Sequence, residues 1–524
     1  MNTPGDQFKP DSVAKWFSRI VTLPHASEQE GPLHDALGAW LLEEIRIDPG
    51  DIYFKKFAAA QGVGERVIYA FRRGTGPGAG LPPVVLQAHM DMVVVTSPAV
   101  DNPFPLQTSI DDAGWMTAKA RQGGGSTLGA DDGIGVATAL ALLEDEQLRP
   151  YPIECLFTVQ EETDMGGAHA FDTSLLKGKI YVNLDSEQVG VVTYGSAGGF
   201  KTQYTGAITR AAVDGAAAVK ITIGGLLGGH SGVDIGKGRL SAVKLLVEGL
   251  CRMNRRLNDM SLPAGSLPGC YDFWLDAFQR LDTNMSNAIP REASATIAVR
   301  AEDVDAVMAS FAAWFGAVKT IYGAAEAGMT MSCERTTPAK PLTTDATDNL
   351  LAFLHRVPQG VMGMVAGYTP AVVETSSNVY DVQLGDDQVE IDTSTRTSNA
   401  RLLGEEHDGD HPASALEKMF VDLGAVYGLA VVTGESWYPA WPRNDASPLL
   451  ADALAAYGTG AEKSIIHAGL ECSWIVKRCD GIDCVALGPT IKNPHTIQET
   501  LDTTSVAGFY DAVKNLLLRR FGAV

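Results

Sequence analysis

Residues 84–93 read VVLQAHMDMV. The run VVLQA (84–88) predicts a buried strand, and His89 and Asp91 follow directly at its carboxyl end. The same grammar recurs twice. IECLFTV (153–159) runs through Gln160 into Glu161-Glu162, and IYVNL (180–184) runs into Asp185. Between the first two strands lies an Ala- and Leu-rich helix over 133–143. Strand–helix–strand order with continuous apolar strands predicts a layered α/β domain. In open α/β sheets, ligands gather beyond the carboxyl ends of the strands, so three distant segments should converge on one edge. A further acidic pair, Asp131-Asp132, sits in the Gly-rich turn GGGSTLGADDG just before the helix.

Working outward, a helix is expected over Pro10–Ile20. Ser27 and Glu30 form a capping-box pattern ahead of a second helix over about 28–47. The pattern changes near Gly198. AAVKITIGG (217–225), ASATIAVR (293–300) and QVEIDTSTR (388–396) alternate as half-exposed strands, each followed by a helical stretch. This repeated grammar predicts an α+β insert with internal duplication. After Trp441 the apolar α/β pattern returns in SIIHAG (464–469), DCVALG (483–488) and a last helix over about 503–520. The expected organisation is one domain from 1–198 and 435–524, interrupted by an inserted domain over 199–434.

Composition bounds the function. Hydrophobic residues at 45% and charged residues at 20% suit a globular chain with a large core. Against 41 Lys+Arg stand 63 Asp+Glu, a net charge of -22 that repels nucleic-acid phosphates and anionic lipid. Neither nucleic acid nor membrane is therefore an expected partner. The 7 cysteines, an odd number scattered along the chain, do not suggest a disulfide framework. The polar N-terminus does not read as a secretory signal, and no run of about 18 apolar residues occurs. A cytoplasmic location is the expectation.

Each strand-end residue has a bland reading on its own. A His or Asp there is usually a turn or cap residue. Adjacent acids directly after an apolar strand differ, because two like charges at a buried edge cost free energy without a cation. Mixed imidazole and carboxylate ligands suit zinc, manganese or cobalt better than calcium. Two ions about 3.5–4 Å apart need a bridging carboxylate, and Asp131 is the candidate bridge. Other motifs fail. GGGSTLG has no following Lys for a phosphate loop, Ser231 in GGHSGV lacks the second Gly of a nucleophile elbow, and there is no H-E-x-x-H.

Eight ordered motifs then carry a resemblance: LQAHMDMV (86–93), TLGADDGIG (127–135), EETDMGGA (161–168), NLDSE (183–187), LLGGHSGVDI (226–235), NAIPREA (287–293), IHAGLEC (466–472) and GPTIKNPHT (488–496). Together they resemble the co-catalytic metallopeptidase clan that includes aminoacylases and carboxypeptidases, and within it the cytosolic nonspecific and aminoacyl-histidine dipeptidases (peptidase D). The resemblance implies an α/β fold, with a mixed-sheet zinc-peptidase-like catalytic domain and an inserted α+β lid domain. It implies hydrolysis of dipeptides, Xaa-His types included, and a homodimer through the lid.

It also implies roles. His89 and Asp185 would bind one divalent ion, Glu162 and His495 a second, with Asp131 between them. Zinc is the first expectation, manganese or cobalt the alternatives. Asp91 would orient the His89 imidazole or tune the metal water, and Glu161 would be the general base. His230 would stabilise the oxyanion, from a partner subunit or by closing over its own site. Asn287, Arg291, Arg396, His467 and Gly469 would contact substrate, with Arg396 clamping a free carboxylate. The chain departs from the family pattern at Asp132, Gln160 and Ser473, where Asn, Asp and Gly are usual. Two other readings stand beside this one. An N-acyl amino acid amidohydrolase or carboxypeptidase of the same clan would prefer an N-acetylated substrate. An inactive binding protein would carry no metal.

Overall fold

The computed structural model describes residues 8–55, 62–98, 100–258, 270–406 and 412–522. The first seven residues of the polar N-terminal stretch lie outside these. The chain divides into two compact units: the described residues of Met1–Ser196, Trp441–Ile466 and Leu470–Val524, and those of Ala197–Ala440 with His467–Gly469.

The first unit is built on an 8-stranded sheet. Its strands follow the order Ile52–Tyr53, Ile68–Arg72, Ile153–Thr158, Val84–His89, Ile180–Asn183, Asp483–Ala486, Val191–Ser196 and Glu462–Ile466. The four strands from Ile153–Thr158 to Asp483–Ala486 are parallel, whereas Ile68–Arg72 is antiparallel to its neighbour. The sheet is therefore mixed, with a parallel centre. Val84–His89 and Ile153–Thr158 are buried along their whole length, which is why they read as continuous apolar runs. Helices Asp11–Ile20 and Ala130–Glu144 pack on each other, and the latter also packs on Val84–His89. Burial of Trp16, Phe17, Ile20, Ile134 and Leu140 holds this layer, at about 1.5–3 kcal/mol for each large apolar side chain.

The second helix starts later than its sequence pattern suggests, at Gly31, with Glu30 at the N-cap and no side-chain cap. Tertiary partners take the two capping residues. Ser27 donates its hydroxyl to Asp91 Oδ2 at 2.8 Å. Buried Glu30 accepts the N–H groups of Glu28 and Gln160.

A separate 5-stranded sheet in the same unit includes the pair Ile491–Lys492 and Thr500–Asp502. The loop between these two strands carries His495, held at a left-handed φ of 60°.

The second unit is a 9-stranded antiparallel sheet. It consists of two copies of one β-α-β-β-α-β arrangement. The first copy runs Ala216–Gly224, Ala242–Met253, Phe273–Arg280, Ala293–Arg300, Val304–Tyr322 and Thr330–Thr336. The second runs Gly198–Ala207, Thr344–Arg356, Val373–Leu384, Gln388–Thr397, Ala415–Val426 and Ala430–Tyr438. Spatially, the first copy lies fourth-first-third-second and the second lies second-third-first-fourth. They meet where Gln279 faces Gln383. Strand Gly360–Met364 adds to Val373–Leu384. Helix Val304–Tyr322 is long and apolar enough to cross a membrane by length and composition alone. Here it packs on strands of this sheet through buried Val304, Val307, Phe311, Phe315 and Val318.

Candidate metal centre

The three parallel strands end level, with His89 opposite Thr158 and Gln87 opposite Asn183. The residues just beyond them therefore meet. His89 Nε2 lies 3.1 Å from Asp131 Oδ1 and 3.9 Å from Asp185 Oδ1. His495 Nε2 lies 3.1 Å from Asp131 Oδ2 and 2.9 Å from Glu162 Oε2. Asp131 thus presents one oxygen to each histidine. Ligand atoms of His89, Glu161 and Glu162 also fall within 4.8 Å of one another.

Asp91 takes a position of its own. The His89 ring is oriented by the Asp91 main-chain carbonyl, 3.0 Å from Nδ1, while the Asp91 carboxylate stands 3.7 Å from that nitrogen. That carboxylate instead accepts the N–H groups of Glu161 (3.0 Å) and Glu162 (3.2 Å) and the Ser27 hydroxyl. It caps the short helix Glu161–Asp164 and so fixes both acids at once.

Asp132 also groups by distance with His89 and Asp185. Its oxygens are occupied, however, by the N–H groups of His89 (3.2 Å) and Gly135 (3.1 Å). A Cβ at Gly135 would fall 2.2 Å from Asp132 Oδ1, so the glycine makes room for this staple. Glu499 does similar work on the other side, accepting the N–H groups of Leu128, Gly129, Ala130 and Asp131.

The electrostatics are those of a cluster built for cations. Burial, with Asp131 as the next cause, holds the Asp185 carboxyl well above the usual range. Burial and the charges of Glu162, Glu471 and Asp131 do the same to Glu161, against the pull of His89. Burial opposes protonation of His495, yet Asp131 and Glu162 push it up to about 12. Asp131 is buried, but hydrogen bonds from His495 and His89 hold it below the carboxylate range. Burial disfavours the charged form of a carboxyl group, and a nearby positive charge favours it. Glu162 Oε1 is buried without a partner. Two ligands sharing a tetrahedral ion at 2.0–2.2 Å stand about 3.3–3.6 Å apart. The spacings around the two histidines, from 2.9 to 3.9 Å, span that range, so the donor set fits divalent cations.

The second unit arranges donors. His230 Nδ1 accepts the N–H groups of Gly232 and Val233, each at 3.2 Å. A ring nitrogen that accepts cannot carry the proton, so the proton sits on Nε2. His230 N donates to Asp234 Oδ2 at 2.9 Å, which fixes the loop. A Cβ at Gly232 would fall 2.3 Å from the His467 carbonyl oxygen, a close approach only glycine permits. His467 Nε2 lies 2.8 Å from Ser376 Oγ, and burial and the Arg396 charge bring its pKa down to about 3. Arg396 donates from Nη1 to Tyr438 Oη at 2.6 Å, and its Nε is buried without a partner. Gly469 belongs to this unit with His467. Arg291 donates from Nε to the Leu226 carbonyl at 3.2 Å and is exposed; Asn287 contributes its carbonyl to Ser231 N at 2.7 Å.

Sequence reading singled out none of Ser27, Glu30, Ser376, Glu471 or Glu499 for the work they do here. Glu471 lies within IHAGLEC (466–472), but nothing local distinguishes a buried acid from a solvated one.

The description "Peptidase family M20/M25/M40" matches residues 85–519. The chain is 33% identical to the cytosol non-specific dipeptidase of Escherichia coli (strain K12), over 98% of each. Its structure is similar to that of aminoacylhistidine dipeptidase from Vibrio alginolyticus, with TM-score 0.75, 31% identity and coverage of 99% and 98%. The fold also resembles that of a tripeptidase from Staphylococcus aureus, with TM-score 0.55, 16% identity and coverage of 98% and 100%.

Proposed function

The chain belongs to peptidase family M20/M25/M40, and from that premise we propose that it is a metal-dependent dipeptidase acting through the strand-end cluster of the first unit. The observation that carries this reading is Asp131, whose two oxygens are divided between His89 and His495. The names of the Escherichia coli and Vibrio relatives support dipeptide substrates, with Xaa-His among them. In this reading His89 and Asp185 would hold one ion and Glu162 and His495 a second, with Asp131 shared between them. Zinc suits this imidazole–carboxylate set, with manganese or cobalt as alternatives.

Bound divalent ions supply Lewis acidity and bring the pKa of a water to about 7. Glu161 takes the proton from the attacking water and hands it to the leaving amine. Glu162, beside it, pairs with His495 at 2.9 Å and is the proposed ligand. Asp91 keeps both acids in place. His230 would offer its Nε2–H to the oxyanion, from a partner subunit or by closing over its own site, and Arg396 would pair with the free C-terminal carboxylate. Asn287, Arg291, His467 and Gly469 complete the substrate contacts.

The catalytic role falls to the first unit, close to the expected 1–198 and 435–524, and the lid and dimerisation role to the second, close to the expected 199–434 but with the whole of strand Ala430–Tyr438 and with His467–Gly469. Support for a homodimer is the open outer edge of Thr330–Thr336. Beside it, helix Val304–Tyr322 exposes Ala306, Ala309, Ala313 and Ile321. The name of the cytosolic relative supports a cytoplasmic location.

The test is a dipeptide panel on chelated enzyme. Hydrolysis should vanish on chelation and return with zinc, manganese or cobalt. Absence of hydrolysis on every dipeptide with every metal sinks the reading.

A further inference from the structure

The strands that carry the cluster are not uniformly apolar. Gln87, Thr158 and Asn183 are each 0% exposed, and so is Glu471, which stands just before helix Cys472–Arg478. Gln87 lies two residues before His89, and Asn183 two before Asp185, so each shares the sheet face of the residue above it. Buried polar groups in such strands cost free energy unless they are joined. They are joined here through one acid. Glu471 Oε2 accepts from Gln87 Nε2 at 2.5 Å and from Thr158 Oγ1 at 2.6 Å. Gln87 Oε1 accepts from Asn183 Nδ2 at 2.7 Å, and Asn183 Oδ1 accepts from Asp185 N at 3.2 Å. Glu471 thus ties together the three strands whose ends bear His89, Glu161-Glu162 and Asp185. Its other oxygen, Oε1, is buried without a hydrogen-bond partner.

We propose that Glu471 is a positioning residue, which through Gln87 and Asn183 sets the spacing between the strand ends that carry His89 and Asp185. This rests on the reading of those two residues as metal ligands. Without an acceptor at 471, the Gln87 amide and the Thr158 hydroxyl lose their shared partner. The longer 3.2 Å bond from Gln87 Nε2 to Thr158 Oγ1 is then what remains to hold the Gln87 amide against Asn183, and the support of the backbone at Asp185 is loosened. The acid acts as an acceptor, so a carbonyl oxygen in its place does the same work. An amide nitrogen at the Oε1 position meets no donor to repel it.

The experiment compares wild type, Glu471→Leu, Glu471→Gln and Gln87→Met by chelator competition for zinc, with kcat and KM on one dipeptide. Outer partners of ligating residues are typically worth 10–100-fold in metal affinity. Glu471→Leu should lose zinc affinity by about that factor, with kcat falling and KM unchanged. Glu471→Gln should restore both. Gln87→Met keeps the side-chain volume and breaks both links, so it should reproduce the loss even where Glu471→Leu does not fold. The Glu471→Leu/Gln87→Met double variant should be no worse than the weaker single. Wild-type affinity in Gln87→Met, or a Glu471→Gln variant as weak as Glu471→Leu, overturns the proposal. Wild-type protein that takes up no metal overturns the metal-centre reading as well. Normal wild-type uptake with unaffected variants overturns this proposal alone.

Discussion

The first unit gathers acceptors and the second gathers donors. At the strand ends, Asp131, Glu161, Glu162 and Asp185 surround two imidazoles, and backbone N–H groups are taken by the supporting acids Asp91, Asp132 and Glu499. In the second unit the pattern inverts. His230 spends its acceptor nitrogen on two backbone amides, and Arg396 keeps a buried N–H without a partner. The two clusters have opposite electrostatic character. One is built for cations; the other suits an anion, whether a carboxylate or a developing oxyanion. Under the proposed function the first would hold the metal ions and the second would supply donors to the substrate, and the contrast separates those two contributions.

Glu161→Gln is the largest break expected on the acceptor side. It removes a proton carrier without removing a proposed ligand. General-base catalysis contributes about 10²–10⁴-fold, and kcat should fall toward the upper figure. Metal content by elemental analysis should stay at the wild-type level. Unchanged turnover would remove Glu161 from its role; lost metal would make it a ligand instead.

His230→Ala tests the donor side. An oxyanion donor is typically worth about 10²–10³-fold in kcat. The loss should appear in kcat with KM unchanged, because the contact forms only in the transition state. A rise in KM with kcat preserved would mean that this histidine binds ground state and transition state alike. That result would make the second unit a binding surface only.

The two clusters also differ in how far sequence reaches them. His89, Asp131, Glu162 and Asp185 were readable because each stands at or beside an apolar run or a Gly-rich turn, a local signal. His495 came from resemblance, since its short strands Ile491–Lys492 and Thr500–Asp502 carry no periodicity to read. Glu471 was not readable as a partner of Gln87, 384 positions away. The long strand Val373–Leu384 was missed for a different reason. Its Thr375, Ser376, Ser377 and Asn378 are buried yet polar, paired across the sheet as in Thr375 with Thr397 at 2.9 Å. Alternation of hydrophobicity fails where hydroxyl groups satisfy one another inside a sheet. The capping box at Ser27 failed because a catalytic-side acid, Asp91, outcompeted the local backbone for its hydroxyl.

Arg396→Lys carries the smallest expected effect and the finest distinction. Lysine keeps the charge but loses the planar fork that pairs two N–H groups with a carboxylate. The Tyr438 hydroxyl already holds one guanidinium nitrogen, which orients the rest of the fork. KM for a free-acid dipeptide should rise roughly tenfold, about 1.4 kcal/mol, with kcat unchanged. The same peptide as its C-terminal amide should respond far less, since it offers no carboxylate to pair. The ratio of free-acid to amide kcat/KM is therefore the decisive reading. If Arg396→Lys leaves that ratio at its wild-type value, Arg396 does not face the substrate carboxylate. The donors of the second unit would then serve the oxyanion alone. A reduced ratio assigns the two donors to two different anions, His230 to the one that forms during the reaction and Arg396 to the one present from the start.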